Sequence, residues 1–131
     1  MNMESKKGFS INIDHENRLI RYKHCGSIRK DDIGQAWRKF LELKEFTHEK
    51  YDLLSDYRNA AFIMDSNDVK LIVGFLYNIK DILKGKNQAL VVEDPKSTAI
   101  SLLFEDEVYH KTGFNVKIFS SYDQAFKWLR D

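Results

Sequence analysis

Strand-like and helix-like periodicities take turns along nearly the whole chain, and this alternation restricts the fold more than any other feature. Phe9, Ile11 and Ile13 alternate with polar neighbours, the period of a half-buried strand. Residues 14–17 (DHEN) supply turn chemistry and 18–25 continue extended, so a β-hairpin closing at Gly26 is expected. Ile33, Trp37, Phe40 and Leu41 then follow the i, i+4, i+7, i+8 spacing of one helical stripe, with Asp31 and Asp32 at its positive end. After a polar linker at 47–50, residues 51–57 read as a third strand. Its adjacent Leu53 and Leu54 require cover on both faces, as parallel strands have.

A long helix is expected to open at Asp65 or Ser66, either of which can accept from free N–H groups of the first turn. Its inner stripe is Val69, Ile72, Val73, Leu76, Ile79 and Leu83, and Lys84-Gly85 ends it. Residues 88–93 (QALVVE) form a fourth buried strand stopped by Asp94-Pro95, since proline cannot donate to a ladder. A helix from about Ser97 carries Ile100, Leu103, Phe104 and Val108 inward until Gly113. Residues 114–119 alternate as a fifth strand, and Ser121 with Gln124 has capping-box spacing for a closing helix bearing Ala125, Trp128 and Leu129. The order ββαβαβαβα predicts one α/β domain over 8–131, a mixed, mostly parallel five-stranded sheet with helices, after a flexible polar segment at 1–7.

Length and charge narrow the class of function. A chain of 131 residues is long enough for one sizeable core. Twenty-one Lys and Arg are interspersed with 20 Asp and Glu, without the basic concentration a nucleic-acid surface needs. The single cysteine, Cys25, allows no intrachain disulfide, and the opening residues have no apolar signal core. No apolar run approaches the ~20 residues of a membrane span, so a cytoplasmic protein is expected.

Catalytic chemistry finds little footing. His15, His24, His48 and His110 lack the i, i+4 pairing of a metal helix and read as surface residues. His24 and Cys25 are consecutive on a strand and point to opposite faces, so they do not make a nucleophile pair. Asp56 and Asp65 lack a third ligand at a diagnostic spacing, and no glycine-rich phosphate loop is present. Trp37, Phe40, Phe126 and Trp128 read as core. No catalytic residue, metal or cofactor is therefore expected. Leu71, Phe75 and Ile82 form a second apolar side of the long helix, a surface for a loop or a partner chain.

Three segments carry a resemblance to a known family: the hairpin closing before IRKDDI, the stretch YDLLSDYRNAAFIMDS at 51–66, and the tail FNVKIFSSYDQAFKWL. Together they resemble the STAS superfamily of bacterial anti-sigma-factor antagonists, in particular a branch similar to the sporulation anti-anti-sigma factor. In those antagonists a strand ending in aspartate leads to an Asp-Ser pair whose serine is phosphorylated. The resemblance implies recognition roles for Asp56, Asp65 and Ser66 in the same order here, with a phosphate at Ser66 meeting a helix N-terminus.

The expected function is a non-enzymatic STAS-like protein-interaction or regulatory module of unknown partner. It docks through the 56–69 surface, and a homodimer would form through Leu71, Phe75 and Ile82. The alternative is a carrier of a small apolar ligand or lipid held between helices and sheet. A serine-phosphorylated anti-anti-sigma-type switch ranks third.

Overall fold

The computed structural model describes residues 8–131; the segment 1–7, expected to be flexible, lies outside the described residues. Strands β1 (Gly8–Asp14) and β2 (Leu19–Ile28) form the antiparallel hairpin, with Ile13 opposite Ile20 and Asp14 opposite Leu19. Helices α1 (Lys30–Leu41) and α2 (Lys44–Thr47) lead to β3 (Asp52–Asp56), which lies parallel to β2. After β4 (Ala60–Phe62) come α3 (Ser66–Tyr77) and α4 (Lys80–Leu83), then β5 (Asn87–Val91), α5 (Pro95–Thr112), β6 (Asn115–Phe119) and α6 (Tyr122–Arg130). The sheet order is β1-β2-β3-β5-β6, parallel from β2 onward, with β4 joined to β2. The mixed, mostly parallel α/β architecture expected from periodicity is the one observed.

Burial explains the layering. Leu53 and Leu54 of the central strand are both fully buried, one on each side. Helices α1, α3 and α5 cover the Leu53 face with Trp37, Phe40, Val69, Leu76 and Val108, while α6 is the one helix over the Leu54 face among the described residues. Burying a leucine of this kind contributes about 1.5–3 kcal/mol relative to leaving it in water. The aromatic residues lock the thicker layer: Tyr22 meets Phe40 edge-on at 5.3 Å, and Trp37 does the same with Phe40 and Phe46.

Several boundaries differ from the sequence expectation. The second strand does not end at Gly26 but turns there, at φ 90°, and continues to Ile28. Before the turn β2 pairs with β3, and after it residues Gly26–Ile28 pair with β4, a three-residue strand too short to show a period. The helix expected from 65 to 84 is two helices, because the backbone leaves helical geometry at Ile79 although the apolar stripe runs on. Asp94-Pro95 starts α5 as well as ending the strand before it: Asp94 accepts from Ser97 N, and Pro95 takes the first helical position, where no N–H is needed. Ser121 caps α6 by accepting from Gln124 N.

His24 is buried at 2% exposure, not on the surface. Its Nδ1 hydrogen-bonds the Tyr22 hydroxyl, and its ring packs with Phe9 and Tyr57. Burial lowers its pKa from the ordinary 6.5, against the opposing charge of Asp32. The folded protein therefore prefers neutral His24, a contribution fully present above about pH 6.5 and lost as the pH falls through the depressed folded value. We expect urea midpoints to drop between pH 7.5 and 5, and to drop less in His24→Phe. An equal drop in both proteins would remove His24 from the acid response.

Candidate functional site

The corner between β3 and α3 is built by two separate carboxylate arrangements. At the start of α3, Asp65 Oδ1 accepts from Asp68 N at 3.0 Å, and Asp68 Oδ2 accepts from Asp65 N at 3.1 Å. This reciprocal cap satisfies two backbone donors and leaves Ser66 exposed as the first helical residue. Capping thus falls to Asp65 rather than Ser66. A phosphate on Ser66 would share the first turn with two carboxylates that already hold the dipole end.

Asp56 belongs to the other face. Along β3, Leu54 and Asp56 point toward α6, whereas Leu53 packs beneath the remaining helices. Its carboxylate accepts from Arg58 three times, from the backbone N at 3.1 Å, Nε at 2.9 Å and Nη2 at 2.8 Å. Burial acts to raise the Asp56 pKa, but the Arg58 hydrogen bonds and charge, helped by Lys23, outweigh it and hold the group below the ordinary carboxylate range. The Arg58 guanidinium also lies 5.1 Å from the Tyr122 ring centre, and Arg21 Nη1 donates to the Tyr122 hydroxyl at 2.7 Å. Asp56 is therefore a fastener between the β3 end and α6. Asp65 and Ser66 come together; Asp56 does not join them. The Arg58 partnership escapes a sequence reading because the two residues stand two apart across a turn.

The second side of the long helix also divides. Leu71 (61% exposed) and Phe75 (40%) flank a groove of about 540 Å³ between α3 and α1, with Lys30, Gln35 and Arg38 opposite. Ile82, expected beside them, sits on α4 and is half-buried against the core. Beneath the groove, a second recess lies between α1, α3, α5 and the sheet, walled by Trp37, Tyr57, Val69, Ile72, Leu90 and Phe104. Two polar side chains reach it that the sequence reading passed over: Gln88 (3% exposed) and Ser101 (1%). Among the described residues, no three His, Cys, Asp or Glu gather to hold a metal ion, and no helix is long and apolar enough to cross a membrane.

Replacing Arg58 with Ala removes the guanidinium and leaves the buried Asp56 carboxylate only the backbone N of residue 58, an expected loss of about 1–3 kcal/mol. The double variant Asp56→Leu/Arg58→Leu should recover most of it, because both partners then become apolar. Urea denaturation of the three proteins measures this, and equal losses in single and double variants would contradict the fastener.

No family model matches the chain, and no curated protein matches it. Among solved structures, it is similar to an uncharacterized protein of the DUF3478 family from Shewanella loihica PV-4, described as having a SpoIIAA-like fold. The likeness has a TM-score of 0.59 at 16% identity and covers 98% of this chain and 99% of that one. At that identity the likeness establishes architecture alone, a SpoIIAA-like α/β fold.

Proposed function

We propose that the protein is a non-enzymatic STAS-like interaction module of the cytoplasm that docks onto a protein partner through the α3 side of its β3–α3 corner. The observation that carries this reading is the exposure of Leu71 and Phe75 on a helix whose start is firmly capped by Asp65 and Asp68. Large apolar side chains grouped on a rigid element at a groove are the ordinary form of a recognition surface. A second copy of the chain is the simplest partner, with Phe75 entering the partner's α1–α3 groove. Sedimentation over a range of concentrations should show a mass that rises toward a dimer and stays monomeric in Phe75→Glu. A wild-type monomer at all concentrations would remove the dimer.

A second reading, a carrier of a small apolar ligand or lipid, draws support from the recess under α1, α3 and α5. Its walls are apolar, and it contains buried polar atoms that no group of the described residues satisfies. Native mass spectrometry of protein taken directly from cells should show a co-purifying small molecule if the carrier reading holds; a clean apo mass would count against it.

A further inference from the structure

The recess just described has a polar floor with an unfilled requirement. Gln88 Nε2 donates to Ser55 Oγ at 3.0 Å, which orients the amide and leaves Oε1 as an acceptor with no partner among the described residues. Ser101 Oγ, on α5, is likewise buried and unpartnered. Both side chains are more than nine-tenths buried, and both line the same recess. Leaving a buried polar group without a partner costs free energy that a suitable guest would recover.

The chemistry of the guest follows from what the two atoms need. Gln88 Oε1 requires a donor, and the Ser101 hydroxyl can give its proton to an acceptor. A single hydroxyl group does both. An ether cannot donate to Gln88, and an ammonium cannot accept from Ser101. A carboxylate cannot donate either, and no Lys, Arg or His lines the recess to stabilise its charge there. Water also offers both roles, but it leaves the apolar walls at Met64, Ile72 and Phe104 without contact.

Size decides how such a guest would lie. The recess offers room of about 40 Å³. At roughly 10–15 Å³ for each water-sized occupant, it takes about three heavy atoms. A head group and its first carbons fit inside, and the rest of the tail extends out through the open side between the helices.

We propose that this recess binds a neutral apolar alcohol, its hydroxyl donating to Gln88 Oε1 and accepting from Ser101 Oγ while its hydrocarbon tail lies against Ile72, Met64 and Phe104. The proposal rests on the carrier reading and specifies the ligand class that it takes. Discrimination resides in the polar floor, since the walls would accept any slim hydrocarbon.

Trp37 lines the recess, and the other tryptophan, Trp128, packs on Phe119 under α6, so Trp128→Phe makes Trp37 emission a local reporter. In that background, 1-octanol should bind about tenfold tighter than methyl heptyl ether, a molecule of equal heavy-atom count without the donor. Octanoate at pH 8 should not compete. Gln88→Leu should bring the alcohol-to-ether ratio close to one, and Ser101→Ala should narrow it independently if the first variant folds poorly. Equal binding of alcohol and ether to the wild-type floor would overturn the head-group assignment and leave the carrier reading standing. No change in Trp37 emission with either molecule would overturn both.

Discussion

Everything in this fold depends on a central strand whose Leu53, Leu54 and Ser55 no solvent reaches. β3 has β2 on one side and β5 on the other, and its Leu53 and Leu54 are enclosed by helices above and below. Because side chains alternate across a strand, two adjacent leucines at full burial demand a layer on each face. The chain meets that demand with parallel strands whose connections are helices, which place α1, α3 and α5 on the Leu53 face. The position of the candidate corner follows, since the chain leaves the C-terminal end of β3, passes through β4 and enters α3 where open α/β sheets present their crevices.

The two faces do different work at that handover. On the α6 face, polar side chains are consumed internally: Asp56 satisfies Arg58, Arg58 stacks on Tyr122, and Tyr122 meets Arg21, which pairs with Asp14. On the α3 face the cap is self-contained, so the flanking apolar residues Leu71 and Phe75 face outward. This division gives Asp56 and Asp65 unlike roles. One is structural mortar, and the other frames an exposed surface.

Periodicity made most of the architecture legible in advance. The alternation at Phe9, Ile11 and Ile13, the doubled leucines of β3 and the helical stripes led to the correct class and order of the major elements. What escaped had physical reasons. β4 has three residues, and its pairing exists only because Gly26 bends β2 toward it. The break at Ile79 is a change in backbone direction that leaves the apolar stripe uninterrupted, so a pattern of side chains cannot report it. His24, Gln88 and Ser101 count as polar in any hydropathy reading, yet each occupies an inward position; for Gln88, its i, i+2 relation to Leu90 was the available signal.

The unequal cover of the sheet also bears on the order in which the protein can be made. Among the described residues, α6 comes after every strand, yet it is the sole helix over Leu19, Leu54, Ala89 and Val91. A ribosome therefore delivers β1 to β6 before the helix that covers their oily side, which stays bare until α6 emerges. During that interval the nascent chain presents a surface suited to chaperones, and a truncation just before Tyr122 would make the interval permanent.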